Sequence, residues 1–336
     1  MKKYTLSVLS VLLIATMVCM LFTGRFNELT PAALYDLIRS LVLDYPLSPL
    51  QEKQFITLSY IRLPRILAAI LVGAALAVSG TCYQSLFMNP LVSPGILGVL
   101  AGASFGAGTG IVLFDNSLIA TQIFAFLFAC CAVGFALFFS IFLRWRSLLI
   151  LLLGGMISAS LFTSLTAFMK FLADPDTQLP DLTYWLMGSF AKVESETVLW
   201  VGIPMTTLIL YLCLQGKTAN ILSMGDDEAL SMGIPVGWAR LKIITCATLL
   251  SAFSVVQAGI VGWIGLVIPH IVRFLVGPDN RVLLPASAMT GAIFLLITDS
   301  IARTIFTAEL PVGVYTSLVS LPIFAITLYT NRRSWR

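Results

Sequence analysis

Ten mostly apolar stretches follow one another along this chain, all but one of about 20 residues and long enough to cross the hydrocarbon core of a bilayer as a helix. Inside lipid a chain must satisfy its own backbone hydrogen bonds, so spans repeated at this length dictate a bundle of α-helices. They lie at about 4–22, 64–87, 94–114, 118–140, 147–170, 197–215, 240–261, 264–276, 283–302 and 311–330. The eighth is too short for a full crossing. It predicts a tilted, broken or re-entrant segment, which is tolerated only where protein covers the backbone. Charged residues are 11% of the 336, against roughly 25% in soluble domains. That argues against a water-soluble enzyme, and the apolar content argues against disorder.

The first stretch follows Lys2 and Lys3 and begins like a signal peptide. No small-x-small cleavage site follows it and many spans come later, so a retained first span is expected. An even number of spans puts both termini on one side. With the N-terminus inside, the inner segments hold Lys2, Lys3, Arg144, Arg146, Lys217, Arg240, Lys242, Arg273, Arg281, Arg332, Arg333 and Arg336. The outer segments hold the smaller basic set: Arg25, Arg39, Lys53, Arg62, Arg65, Lys170, Lys192 and Arg303. Short inner connections rich in Lys and Arg predict N-in and C-in. The acids Asp174, Asp176, Asp181, Glu194 and Glu196 gather in one outer connection and agree.

Three connections are long. Residues 23–63 form an outer segment with a short helix expected from Pro31 to Leu41, and 171–196 form a second with an interfacial helix expected over 182–190. Residues 216–239 form the one long inner segment. Within it Asp226, Asp227 and Glu228 suit the positive start of a short helix, and Gly225 and Gly233 bracket that helix as caps would. Gly73, Ala77 and Gly80, then Gly102, Gly106 and Gly110, recur at near-helical spacing and predict close helix–helix packing.

Much chemistry is missing. The sequence has no Walker A loop, no dinucleotide-binding glycine fingerprint, no Gly-x-Ser-x-Gly and no HExxH. Its one histidine, His270, cannot build a His-based metal site. The six cysteines lie in apolar stretches without a CxxC pair and read as small buried hydrophobes. The net charge of +4 makes no case for nucleic acid. An ion-coupled carrier usually holds a carboxylate near mid-membrane, whereas Asp299 and Glu309 lie near the outer ends of the last two spans. What remains is a subunit that moves cargo with an external motor, or a non-transporting scaffold.

Several motifs then stand in order: Arg62–Leu63–Pro64–Arg65, the run 73–80, Gln84, Asn89–Pro90–Leu91, Pro94, 185–190, Gly225–Asp226 with Ala229 and Gly233, the run 262–273 containing Pro269–His270–Ile271–Val272–Arg273, Arg281, Leu284–Pro285, 299–303 and 309–314. Over residues 60 to 330 the chain resembles the FecCD-type permeases, membrane subunits of importers for iron–siderophores, haem, cobalamin and related metal chelates. Met88, Ser93 and Trp263 are small departures. The resemblance implies an all-α, type II ABC importer permease fold of about ten transmembrane helices in a bacterial inner membrane, with residues 1–336 forming one transmembrane domain. It implies a second permease copy, two cytoplasmic ABC ATPase subunits and a periplasmic substrate-binding protein as partners, and no cofactor or enzymatic activity of its own. An iron–siderophore is the expected cargo, with haem, cobalamin and molybdate or tungstate as alternatives.

Site roles follow from the same likeness. Arg62, Arg65 and Arg303 are expected to face acidic residues of the docked binding protein, or else to anchor helix ends at headgroups. Residues 216–239 are the expected ATPase-coupling segment, carried by Gly225, Asp226, Asp227, Glu228, Ala229, Leu230, Ser231 and Gly233. Gln84, Asn89, Pro90, Pro269, His270 and Arg273 either line the pathway or make structural turns. Spans two, three, five and ten are natural linings, the fifth with a weakly polar wall of Ser158, Ser160, Thr163, Ser164 and Thr166. A chelate arrives already liganded, so a metal-related pathway needs no ligating side chains.

Overall fold

A computed structural model describes residues 2–24, 29–142, 148–305 and 309–330. Arg25, Arg144, Arg146, Arg332, Arg333 and Arg336, used above for orientation, lie outside the described residues, as do the side chains of Lys2 and Lys3. Regular structure among the described residues is helical, with fifteen α-helices: α1 (Lys2–Phe22), α2 (Pro31–Val42), α3 (Pro49–Ile56), α4 (Leu63–Leu86), α5 (Val99–Leu113), α6 (Leu118–Phe142), α7 (Leu148–Leu172), α8 (Gln178–Leu186), α9 (Ser195–Leu214), α10 (Gly216–Leu222), α11 (Asp226–Ser231), α12 (Val236–Ala258), α13 (Ile264–Val276), α14 (Asn280–Thr304) and α15 (Val312–Thr330). Seven helices among the described residues are long and apolar enough to cross a membrane, and shorter apolar helices at 99–113, 264–276 and 312–327 complete the expected ten.

α4 is the axis of the bundle. It is buried along nearly its whole length, packed against α14, α12, α13 and α9. Small residues let it sit there. A Cβ on Gly73 would lie 2.3 Å from the Gly291 carbonyl oxygen of α14, and one on Gly80 would lie 1.8 Å from the Gly265 oxygen of α13. Backbones can approach this closely only where neither helix carries a side chain.

Two breaks depart from simple spans. The expected third span, 94–114, is divided: a 3-10 turn over Pro94–Leu97 leads to Gly98 at φ +86°, and only then does α5 begin. The eighth span, as expected, is short, and its N-cap Trp263 sits at φ +69°, a left-handed conformation uncommon for a bulky residue. Both helices start deep in the bundle. Pro94 lies beside Gly265, which in turn lies against Leu76 near the middle of α4. The non-helical backbone is covered by protein in part: Val92, Leu97, Val261 and Ile264 are buried, Gly95, Ile260 and Gly262 are half-buried, and Leu91 and Trp263 are exposed.

The start of the second span also differs from expectation. The helix expected from residue 64 continues backward past Pro64. α3 and α4 form one continuous 38-residue helix, Pro49–Leu86, joined by a π-helical turn over Thr57–Arg62 in which the Leu63 N–H reaches the Leu58 oxygen. Proline has no N–H, and its ring clashes with the carbonyl four residues back. The wider π turn takes up that misfit. The cysteines divide too: Cys82 is buried, whereas Cys19 and Cys131 are exposed on the outside of the bundle.

The contacts fix which helix ends lie together. Leu21, near the end of α1, Arg62, Arg65 and Glu309, just before α15, meet at one end of the bundle, the arginine end. Ser85, Asn220 and Asn280 meet at the other, where α10 and α11 form a small knob. α1 and α15 therefore both have their free ends at the knob end.

Candidate functional site

At the arginine end, α4 presents Arg65 to α14. Its Nε donates to both oxygens of Asp299 at 3.1 and 3.0 Å, and Nη2 donates to Oδ1 at 2.8 Å. Nη1 donates to Glu309 Oε2 at 2.9 Å. This is a bidentate fork of the kind a planar guanidinium makes best. Arg65 and Asp299 are 8% and 4% exposed. One turn along α14, Arg303 lies 3.9 Å from Asp299. Arg62, 2% exposed, donates to the Leu21 carbonyl at the end of α1. All three arginines singled out in the sequence therefore converge, together with two carboxylates 234 and 244 residues beyond Arg65. Their guanidiniums are turned into the chain itself, a placement that fits neither a headgroup anchor nor direct contact with the acids of a docked protein. Periodicity could not show that Asp299 and Glu309 are the partners.

The residues expected to line a pathway or make turns separate. Gln84 reaches across from α4 and donates to the Leu266 carbonyl of α13 at 3.0 Å. Pro269 lies inside α13 and offers no N–H to Gly265, whose carbonyl instead lies against Gly80. Asn89 stands exposed in the turn after α4, accepting from the Leu91 N–H at 2.9 Å, and Pro90 follows it half-buried. His270 is buried and wedged edge-on between Phe274 and Phe324, at centroid distances of 5.0 and 5.6 Å. Arg273 is half-buried in the last turn of α13, where a cation suits the helix's negative end. Among the described residues no group of three or more His, Cys, Asp and Glu is placed to hold a metal ion.

At the knob end the 216–239 segment resolves into α10, α11 and the first turn of α12. α11 closes in a Schellman arrangement: Gly233, at φ +78°, donates to the Leu230 carbonyl and Ile234 to the Ala229 carbonyl. Gly225, at φ +119°, opens it, and Asp226, Asp227 and Glu228 fill its first turn. Asp226 also binds Arg240 of α12 at 2.6 Å, and Ala229 is completely buried beneath. Ser231 is exposed, and Met224, Leu230, Met232 and Trp238 form an exposed apolar surface around the knob.

A polar chain that sequence reasoning missed ties this knob to the bundle. The Asn220 amide of α10 donates to Asp279 Oδ1 at 2.7 Å and accepts from the Asn280 N–H at 2.8 Å. Asn280, 2% exposed, accepts from Ser85 Oγ of α4 at 2.8 Å. Asp279 caps α14 and receives Arg281. Hydrogen bonds from Arg281 and then Asn220 hold the Asp279 carboxyl well below the usual carboxylate range. Gly216 makes room, since a Cβ there would lie 2.8 Å from Arg281 Cα.

Known proteins carry the same architecture. Residues 10–330 match the FecCD transport family. The molybdate import system permease protein MolB of Haemophilus influenzae is 35% identical over 325 residues, 97% of this chain and 95% of its own. The vitamin B12 import system permease protein BtuC of Salmonella typhimurium is 37% identical, covering 81% and 83% of the two chains. The hemin transport system permease protein HmuU of Yersinia pestis is 38% identical over the same shares. Among solved structures, an inward-facing ABC transporter assigned to the metal-chelate type superposes with a TM-score of 0.86 at 34% identity, covering 97% of this chain and 98% of the other. PsaBC from Streptococcus pneumoniae shares the fold, with a TM-score of 0.57 at 19% identity.

Proposed function

The chain belongs to the FecCD transport family, and from that premise we propose that it imports a metal chelate handed to it by a periplasmic binding protein. It is a multi-span inner-membrane permease subunit of an ABC importer, a transport subunit and not an enzyme. Within that class a ferric siderophore is the cargo we carry forward. The observation behind the chelate reading is likeness along nearly the whole chain to permeases whose cargoes include vitamin B12 and hemin. The likeness to a molybdate permease makes molybdate the main competing outcome. The test is to load the partner binding protein separately with ferric siderophores, haem, cobalamin and molybdate and to measure affinity by calorimetry. Tight binding of molybdate and of none of the chelates would overturn the reading.

The rest of the machine follows from the two ends. The knob end faces the cytoplasm, with the start of α1 and the end of α15 toward it, and residues 1–336 act as a single transmembrane domain paired with a second copy. Residues 216–239 receive the two ATPase subunits. An exposed apolar surface this concentrated at one end of a bundle favours a protein partner, and the Schellman cap makes α11 stiff enough to transmit a push. Ala229→Pro should leave the chain in the membrane while lowering ATPase binding or uncoupling hydrolysis from uptake. Cysteines at Leu230 or Ser231 should crosslink to the ATPase. Free reactivity there in a working complex would refute the assignment.

The binding protein docks at the arginine end, guided by the charge that Arg62, Arg65 and Arg303 bring there and not by contact with their buried guanidiniums. Its acidic side chains would complement that basic cluster. Glu309→Gln should strengthen docking and Arg303→Gln should weaken it. Equal affinity of both variants and the parent at physiological salt would sink the docking role. Gln84, Asn89, Pro90, Pro269, His270 and Arg273 shape the turns beside the pathway in this reading.

A further inference from the structure

We propose that Asn220 is the positioning residue that fastens the knob to a rigid two-helix beam made of α4 and α14, so that a displaced knob carries both helices with it. The inference rests on the reading of the knob as the motor contact, and it names the path by which motion leaves it. α4 and α14 are joined at three levels. Arg65 and Asp299 lock them at the arginine end. Gly73 and Gly291 bring their backbones into contact at mid-length, with each Cβ position 2.3 Å from the other's carbonyl oxygen. Ser85 and Asn280 lock them at the knob end. Helices tied at both ends and in close contact between them cannot slide or splay independently.

Along the chain the knob is joined directly to α9 and α12, the helices on either side of it, but not to α4 or α14. Asn220 supplies a hydrogen-bonded link to them. Its amide is used on both sides, as donor to Asp279 and as acceptor from the Asn280 backbone. A single asparagine therefore grips the first turn of α14 at two adjacent residues, and the second of these carries the grip on to α4. Gly216 brings α10 flush against Asn280 and Arg281, so the contact is short and stiff. The pattern also defines a complementary swap. Asn220→Asp alone sets two carboxylates against each other. Asn220→Asp with Asp279→Asn restores a donor facing an acceptor.

The experiment measures spin-label distances in the full-length chain in lipid nanodiscs, by pulsed electron resonance. One pair, at Ser231 and Ile297, both exposed, reports knob against beam. A second, at Leu67 and Ile297, also both exposed, reports the beam alone. Asn220→Ala and Asn220→Asp should each widen the Ser231–Ile297 distribution at least twofold and leave Leu67–Ile297 unchanged. Adding Asp279→Asn to Asn220→Asp should restore the narrow distribution. An unchanged Ser231–Ile297 width in the single variants overturns the proposal. So does failure of the swap to restore it while Leu67–Ile297 stays narrow. If Asn220→Ala fails to fold, the Asn220→Asp pair of variants decides alone. The motor reading is tested separately, by whether a label at Ser231 is immobilised when the ATPase subunits are added. A mobile label with a passed swap test would remove the motor and keep the beam.

Discussion

Replacing Asp299 with alanine should destabilise the protein far more than loss of an ordinary ion pair. Arg65 commits Nε and Nη2 to Asp299, and both side chains are sealed from solvent at 9% and 5% exposure. Removing one partner of a buried pair costs about 3–5 kcal/mol, because the other charge is left desolvated and unpaired. Glu309 still holds Nη1, but its side chain is one-third exposed, so it offsets only part of the loss. The expected cost is therefore about 3 kcal/mol, the lower edge of that range. Exposed pairs contribute about 0–1 kcal/mol, so the two cases are separable. Unfolding in mixed micelles of increasing SDS, followed by tryptophan fluorescence, gives the difference. The double variant Arg65→Met with Asp299→Leu provides the control, since an apolar pair of similar volume is often neutral or stabilising. A loss below about 1 kcal/mol for Asp299→Ala would refute a desolvated lock. A double variant as unstable as the two single losses added together would do the same. The result also bears on how charge reversal at Arg65 is read, because Arg65→Glu would break the fold's own lock before it touched any docked protein.

Gly80→Val should abolish folding, since even a Cβ would lie 1.8 Å from a backbone oxygen; the measure is loss of a monodisperse species in detergent, and a folded variant would show that α13 can retreat. His270→Ala should leave uptake and ATPase association intact while lowering stability by about 1–3 kcal/mol, from lost ring packing against Phe274 and Phe324; abolished uptake with normal assembly would make His270 a pathway residue. Asp279 has a depressed carboxyl pKa in the folded protein, so its contribution is complete above the unfolded value near about 3.9 and is lost only as pH falls further, through the folded value. The difference in SDS midpoint between the parent and Asp279→Asn should stay flat from pH 5 to 8, and a slope within that window would contradict the assigned hydrogen bonds.

The spans were legible in the sequence because a bilayer imposes a length. Ile264–Val276 is found where the apolar run placed it, and the two glycines around α11 act as the caps their positions suggested. What was not legible depends on contacts distant in the chain. Nothing near Gly98 announced that the third span is divided, because Pro94 and Gly98 also fit an ordinary start to a helix. Pro64 suggested a beginning, and the π turn that lets the helix pass through it leaves no periodic mark. Arg62, Arg65 and Arg303 stood out by type, but their carboxylate partners are separated from them by most of the chain. Asn220 and Asn280 carry no pattern that pairs them, and only the fold brings Ser85 to meet them. Cys19 and Cys131 are exposed because the outside of such a bundle is apolar as well, so hydrophobic type alone does not separate inside from outside.

The divided helices have a consequence for biogenesis. At about 1.5 Å per residue, the 15 residues of α5 and the 13 of α13 measure roughly 22 and 20 Å, short of the ~30 Å hydrocarbon layer. Neither can partition into lipid alone without exposing the unpaired amides at its deep start. α13 must therefore remain sheltered near the insertion machinery until α15 has emerged, since Gly313 and Phe324 of α15 lie over the backbone that leads into it. A nascent chain truncated after α13 should stay accessible to aqueous thiol reagents along 259–264, and extension through α15, whose Gly313 lies against the Ile260 carbonyl and whose Phe324 faces Trp263, should shut them out.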